Sequence, residues 1–488
     1  MESGPVPELA ETARGCAARL CDAESVLLAS HIDADGLTSA AIASTALERA
    51  GIPHDVVFKK QLDDTEIASI AARPQATVLF TDFGSGQLDT IAEHEAAGEF
   101  DPVIADHHQP ADATTDFHTN PLLVGLDGAS ELSGAGTTYV LARTLAAVSD
   151  RTARPETGVA DNRDLAALAV VGAVGDMQAT DEDGLVGANG GIVEEGIEAG
   201  ALEERTDLAL YGKQTRPLPK LLEYASEVRI PGVSNDPQGA VSFLQGLDID
   251  ARAGGNWRRW VDLADEERQT VVSALMQRAL RRGVPAAKAE QLVGTTYVLT
   301  DEDEGTELRD ASEFSTLLNA TARYERADVG LAVCLGNRAG ALDRAQRLLA
   351  NHRRNLSEGL DTVKQQGVEQ ADHIQWFDAG TEIRETIVGI VAGMALGVDG
   401  VDPDRPILAF AHKQCEASNE AETKVSARGT GRLVGQGLDL SVVVGEAARE
   451  VGGDGGGHDI AAGATIPTGE EQTFVETADG LVAEQLGG

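Results

Sequence analysis

The sequence predicts an α/β protein in three parts: a parallel, helix-covered sheet at the N-terminal end (residues 1–180), a mainly helical connector (181–290) and a smaller C-terminal α/β domain (291–488). Three observations carry this. Short apolar runs alternate with helical stretches from Ser25 onward, acidic and His residues gather where those runs end, and a second alternation begins near Gln291 and closes on a glycine-rich run. Strands of about four to eight residues alternating with longer helices mark a parallel sheet covered by helices.

In order, SVLLASHI reads as a buried strand, Leu37 to Ala50 as a helix, DVVFKK as a strand and Asp64 to Ala72 as a helix. TVLFTDF follows as a strand, Gln87 to Ala97 as a helix and PVIADHH as a strand, with helices expected at Gly136 to Val148 and Leu165 to Val174. The connector is broken by TRPLPK and IPGVSNDPQG. The second pattern is read from QLVGTTYVLT, GLAVCLG, a polar helix from Ala341 to Gln366, RPILAFA and GGDGGGHDIAAGATIP.

Composition narrows the class. The chain has 488 residues, 42% hydrophobic, with 39 basic against 80 acidic residues and a net charge of −41. Only eight of the basic residues are Lys, and the acidic excess runs the whole length. Such a surface repels itself except where salt shortens the Debye length to about 3 Å, near 1 M, which points to a salt-loving source. It also excludes a broad basic nucleic-acid footprint, so phosphate contacts must be local. The longest uncharged apolar stretch, Thr386 to Val398, is shorter than the roughly 18 to 20 residues of a membrane span, and no signal peptide is visible, so a cytoplasmic location without membrane partners is expected. Cys16, Cys21, Cys334 and Cys415 fit neither a paired metal pattern nor a disulfide framework and read as inert thiols. No phosphate loop of the GxxxxGK[ST] type appears, so nucleotide-driven motor activity has no support.

Four motifs carry chemistry. In SHIDADGLTSA, His31, Asp33 and Asp35 alternate, so in extended backbone they share one face; Gly36 permits a tight turn, and Thr38 and Ser39 open a helix. Asp82 ends an apolar strand before a glycine turn, where a helix N-cap is the competing use. Asp106, His107 and His108 are adjacent at a strand end, where a carboxylate beside two imidazoles offers little to packing and much to metals. Asp176 ends the apolar run LAVVGAVGD, an acid set against the helix dipole and so in need of a specific partner. Together these acids and imidazoles suffice for two divalent cations sharing a bridging carboxylate. Oxygen and nitrogen ligands without thiolate suit Mn²⁺, or Mg²⁺, and paired metals suit phosphoester hydrolysis.

In this order the motifs resemble the DHH phosphoesterase superfamily. GGGHDIAAG at 455–463 is similar to the signature of its DHH-associated C-terminal domain, and the likeness covers roughly 25–180 and 291–488. Within the superfamily, DADG, the long connector, ASEFSTLLNATAR and the pair KVSARG with GGGH most resemble archaeal RecJ-type single-strand exonucleases, including the form that associates with the GINS replication complex. The resemblance implies an active site in the cleft between the two α/β domains. It implies one Mn²⁺ on His31, Asp33 and Asp82, a second on Asp35, Asp82, His107 and Asp176, Asp106 as support for its neighbouring His, and His108 as substrate contact or proton donor. It departs at His31, where bacterial RecJ proteins commonly carry Asp. Arg428, Gly456, Gly457 and His458 are the expected phosphate grip, since glycines let backbone N–H groups approach closely and Arg offers a planar fork. Lys424, Asn319 and Arg323 are weaker candidates, and Trp257, Trp260 and Trp376 read as core.

The function so implied is Mn²⁺-dependent exonuclease action on single-stranded DNA or RNA in replication or repair. Two other readings remain open: a phosphodiesterase for short oligonucleotides or cyclic dinucleotides, and a GINS-binding scaffold with little catalysis.

Overall fold

In the computed structural model, residues 4–149, 161–180, 184–225, 228–398, 400–413 and 421–487 are described; Cys415 lies outside them. The chain divides into two compact units, Met1–Gln346 and Arg347–Gly488.

The first unit begins with α1 (Ala10–Cys21), then β1 (Val26–His31), α2 (Ala34–Arg49), β2 (His54–Lys59), α3 (Asp64–Ala71), β3 (Thr77–Thr81), α4 (Leu88–Ala96), β4 (Asp101–Ala105) and the two-residue β5 (His118–Thr119). Helices α5 (Gly134–Ser149), α6 (Ala166–Gly175) and α7 (Gly187–Glu198) follow. The strands form one parallel sheet in the order β2-β1-β3-β4-β5. β1 and β3 are fully buried apart from His31, as expected of strands covered on both faces. Tyr139, Leu145, Ile42 and Leu20 belong to one core cluster, Phe80, Ile67, Ile91 and Phe100 to another. The chain runs from β1 outward to β2 and then back to β3 on the other side, so the strand order reverses between β1 and β3. In open α/β sheets this reversal opens a crevice beyond the carboxyl ends of the strands, where ligands bind.

One detail of the sequence reading is corrected here. α2 starts at Ala34, three residues earlier than expected, because Asp33 itself is the N-cap and accepts from the Gly36 N–H at 3.0 Å. Asp35 therefore stands in the first helical turn, and the shared direction of His31, Asp33 and Asp35 comes from a strand-to-helix corner, not from strand alternation. Gly36 has no left-handed backbone; it is needed because a Cβ there would lie 2.3 Å from the His31 carbonyl oxygen.

The rest of this unit contains β6 (Leu202–Leu208), α8 (Leu218–Glu223), α9 (Pro237–Gln245), the hairpin β7 (Arg252–Ala253) and β8 (Asn256–Trp257), α10 (Asp265–Arg281), α11 (Ala286–Glu290), β9 (Val293–Leu299), α12 (Ala311–Arg323) and α13 (Ala327–Cys334). The QLVGTTYVLT segment forms β9 and pairs antiparallel with β6, a strand missed in the connector because its polar middle, Glu203 to Asp207, hides the pattern. GLAVCLG, read only as part of the second α/β pattern, lies largely in α13; a short run of apolar and small residues cannot distinguish strand from helix by periodicity.

The second unit continues α14 (Gly340–Gln366), begun in the first, and adds β10 (Glu369–Gln370), β11 (Gln375–Asp378), α15 (Val388–Ala395), β12 (Ile407–His412), β13 (Glu422–Arg428), α16 (Gly431–Val434), α17 (Leu440–Glu450), β14 (Asp454–Gly457), β15 (Ala461–Pro467) and α18 (Glu471–Leu486). Its mixed sheet runs β10-β11-β12-β13-β15-β14, with Phe410, Val443 and Phe474 in the core on one side and Val388, Val391 and Ile407 on the other.

Cys16 is buried, Cys21 and Cys334 half-buried, and all three are unbridged; burial pushes the Cys16 thiol up to about 11 and the Cys334 thiol up to about 12, which makes both inert. Trp260 is fully buried with its Nε1 donating to Asp207 at 3.0 Å, and Trp376 packs on Phe410. No helix among the described residues is long and apolar enough to cross a membrane.

Candidate metal centre

Three adjacent strands deliver their chemistry to one rim. β1 ends on His31, β3 is followed by Asp82, and β4 is followed by Asp106, His107 and His108. Asp82 adopts a left-handed backbone (φ 60°) and is buried, so it serves no helix as N-cap. Strain of this kind in a non-glycine residue persists only where the surroundings impose it.

The ligand atoms fall into overlapping groups. Those of His31, Asp33 and Asp82 lie within 4.8 Å of one another, as do those of Asp35, His107 and Asp176, and those of Asp82, Asp106, His107 and His108. Asp82 joins the groups: its Oδ2 is 3.6 Å from His31 Nδ1 and its Oδ1 is 3.4 Å from His107 Nε2. His31 Nδ1 is 3.1 Å from Asp33 Oδ2, while His107 Nε2 is 3.8 Å from Asp35 Oδ2. His107 Nδ1 donates to the Gly128 carbonyl at 2.6 Å, which fixes the ring and turns Nε2 toward the acids.

Electrostatics follow the crowding. Burial, then the charges of Asp82 and Asp176, hold the Asp35 carboxyl well above the usual carboxylate range. Burial also raises Asp176. Burial alone would lower His31 and His107, but hydrogen bonds to Asp33 and Asp82 push His31 up to about 11, and Asp82 with the charge of Asp35 does the same for His107. Flanked by both rings, Asp82 is held well below the ordinary carboxylate range despite its burial. Four carboxylates compressed this closely, two of them with raised pKa, form a donor set that fits hard divalent cations.

Asp35 is anchored by the start of α5: its Oδ2 accepts from the Gly134 N–H at 2.7 Å and its Oδ1 from the Ala135 N–H at 3.0 Å. These are donors that a helix start leaves unpaired. Asp176, at the C-terminal end of α6, finds its partner in Gln178, whose Nε2 donates to Oδ2 at 2.8 Å. Asp106 is a different case. It is fully buried and accepts from the N–H groups of Ser85 (2.9 Å) and His107 (2.8 Å) and from His108 Nδ1 (2.8 Å), so it supports His108 from behind. Its carboxyl is pulled down to about 2 against burial by His108, and His108 is raised by the same bond. The His108 side chain is 57% exposed.

Sequence reasoning missed the glycines that make room. A Cβ on Gly134 would stand 2.4 Å from Asp82 Oδ1, one on Gly172 would stand 2.4 Å from Asp35 Oδ1, and one on Gly128 would stand 2.1 Å from the His107 carbonyl. The only signal was SGAG at a helix start. Asn319 on α12 accepts from the Ala34 N–H at 3.1 Å and so caps α2 beside Asp33. Arg323, one turn further along α12 and exposed, faces the Asp33 charge.

The C-terminal candidates gather in the second unit. Arg428 ends β13 opposite Ala461, and its guanidinium lies over Gly389 at the start of α15. Gly456 and Gly457 form part of edge strand β14, and the exposed His458 begins the turn into β15. The glycine run is an edge strand and not a free loop. The structure thus gathers His31, Asp33, Asp35, Asp82, Asp106, His107, His108 and Asp176 in one unit, and Arg428, Gly456, Gly457 and His458 in the other.

Comparison with known proteins gives three matches along the chain: the N-terminal domain of the DHH family at residues 25–172, a DHH-CID domain at 210–293 and a DHHA1 domain at 374–484. An uncharacterized protein of Methanocaldococcus jannaschii is 28% identical over 464 residues, 93% of both chains. Among solved structures, RecJ of Thermus thermophilus in complex with Mn²⁺ matches with a TM-score of 0.60 at 18% identity, over 98% of this chain and 55% of that one. This chain thus spans about half the length of that RecJ. A structure of exonuclease RecJ bound to manganese matches over 98% of this chain and 96% of the other (TM-score 0.60, 17% identity), and CDC45 from Entamoeba histolytica over 98% and 99% (TM-score 0.64, 12% identity). The chain thus carries in succession the N-terminal domain of the DHH family, a DHH-CID domain and a DHHA1 domain, on a fold similar to that of RecJ.

Proposed function

We propose that this protein is a Mn²⁺-dependent phosphodiesterase of the RecJ type, an exonuclease that degrades single-stranded DNA or RNA in replication or repair. The observation that carries the proposal is the convergence of two ligand groups on the buried Asp82. His31, Asp33 and Asp82 would hold one cation, and Asp35, Asp82, His107 and Asp176 the other. Bound there, Mn²⁺, or Mg²⁺ in its place, would supply Lewis acidity toward the phosphate oxygens and a water made nucleophilic at neutral pH.

The chain's own residues do the rest. Gly134 and Ala135 hold Asp35 by their N–H groups, Gly128 holds His107 in one tautomer, and Asp106 holds a proton on Nδ1 of the exposed His108. From there His108 would contact the scissile phosphate and donate a proton to the leaving oxygen, a role that contributes about 10² to 10⁴ in rate. Arg428, Gly456, Gly457 and His458 would grip a neighbouring phosphate through charge-assisted and backbone hydrogen bonds. The acidic surface fits a cell interior at high salt, where binding rests on such local contacts. GINS or another replication protein would be its partner.

The test is hydrolysis of end-labelled single-stranded DNA and RNA at molar KCl with Mn²⁺, by the native protein beside Asp82→Ala. Cleavage by the native protein that disappears in the variant supports the proposal, and the released label gives polarity. A native protein that spares long strands but cleaves dinucleotides replaces it with the small-substrate reading. One that binds Mn²⁺, cleaves neither and captures GINS replaces it with the scaffold reading.

A further inference from the structure

Behind the exposed His108 lies a buried polar chain that none of the motifs covers. His118 and Asn120 are two residues apart at β5, so both point the same way, and both reach Ser85 in the loop after β3. Asn120 Nδ2 donates one hydrogen to Ser85 Oγ (2.9 Å) and the other to the His108 carbonyl (2.9 Å), while its Oδ1 accepts from the Leu122 N–H (2.9 Å). Ser85 Oγ also pairs with His118 Nε2 at 2.9 Å. Burial lowers the pKa of His118 and so favours its neutral ring. The Ser85 N–H closes the chain on Asp106 Oδ2 at 2.9 Å.

Ser85 and Asn120 are fully buried, and every donor just named has one acceptor. The chain grips His108 at two points: its main chain through Asn120, and its ring through Asp106 as positioned by Ser85. Ser85, His118 and Asn120 belong to none of the ligand groups around Asp82. Buried polar groups cost stability unless matched, so each of these links is held in place by its partner.

We infer that Ser85, Asn120 and His118 are positioning residues that fix the orientation of His108 for the hydrolytic step, separately from metal binding. The inference rests on the proposed hydrolase reading. It requires that loss of one link leave the metal ligands in place and let the His108 ring rotate away.

The experiment compares native protein with Asn120→Ala, Ser85→Ala and the hydroxyl-retaining Ser85→Thr. Steady-state hydrolysis is read beside calorimetric titration with Mn²⁺ alone. The expected result is a kcat about 10- to 100-fold lower in both Ala variants, with KM and Mn²⁺ affinity unchanged, and recovery in Ser85→Thr. An unchanged kcat in Asn120→Ala, or a parallel fall in Mn²⁺ affinity, overturns the inference. If native protein hydrolyses nothing, the functional reading fails by itself and ring geometry decides the inference. In ¹⁵N-histidine spectra of metal-free protein, the His108 signal, identified by its loss in His108→Gln, should shift in Asn120→Ala. A signal that stays in place overturns it.

Discussion

Gly134 stands so close to Asp82 that a single added methyl would lie 2.4 Å from the carboxylate oxygen, and its N–H is meanwhile bonded to Asp35 at 2.7 Å. Backbone therefore lines the metal centre where a side chain would block it. Gly134→Ala should leave the fold intact, because its backbone is ordinary helix, yet weaken Mn²⁺ binding by about 10- to 100-fold, the scale of supporting-residue changes around metals. Calorimetric titration with Mn²⁺ checks this, and native affinity in a folded Gly134→Ala protein would refute it.

Metal uptake should release protons. His31 and His107 are both pushed up to about 11 in the metal-free protein, so at pH 8 each carries a proton that a ligating nitrogen must lose. Because the free form binds more protons than the loaded form, affinity rises with pH across the neutral range. Titrations at pH 8 in buffers of different ionisation enthalpy should show a heat that varies with the buffer, as protons leave on metal uptake. A buffer-independent heat would contradict the charge state described here.

His108 and Asp82 should separate by phenotype. His108→Ala is expected to lower hydrolysis by about 100-fold or more while Mn²⁺ binding stays native, because His108 Nδ1 is engaged with Asp106 and the residue belongs to neither of the two sets proposed to hold the cations. Loss of Mn²⁺ binding in His108→Ala would place it among the ligands.

Away from the site, Glu313 provides a stability test. It is fully buried on α12, accepts from the Gln214 N–H at 2.7 Å and from the Thr215 hydroxyl at 2.5 Å, and is raised to about 7 by burial and by Asp310. The folded state thus keeps its proton over a range where the unfolded chain, near 4.5, has lost it. Stability from this group is complete below pH 4.5, falls as pH rises toward 7 and levels off beyond, by about 3 kcal/mol in all. Glu313→Gln should flatten that slope in urea unfolding at pH 5 and pH 7. An equal slope in the variant would assign the pH dependence elsewhere.

The first four strands of the first sheet and the order of their helices were legible because each is a short apolar run bounded by turn residues, whereas the two-residue β5 fell in a stretch that reads as a polar loop. So were His31, Asp82 and the Asp106–His108 triplet, because strand ends in a parallel sheet share a rim, while Asp33 and Asp35 stand at the start of α2 and Asp176 at the end of α6. β6 was not legible, since Glu203 to Asp207 is polar and its partner β9 lies far along the chain, with Leu202 opposite Leu299. Nor was α13, whose apolar run fits either period.

The sequence by itself determined which acids and imidazoles are candidates, their order and the place of His31, Asp82 and Asp106 to His108 at strand ends, because these depend on residue identity and local periodicity. Only the tertiary structure decided that Asp35 rests on the start of α5, and that Asp106 serves His108 through a chain reaching His118 and Asn120. Those relations depend on which backbone passes within hydrogen-bond reach of a buried carboxylate. Packing of distant segments sets that distance, and no local pattern of residues encodes it.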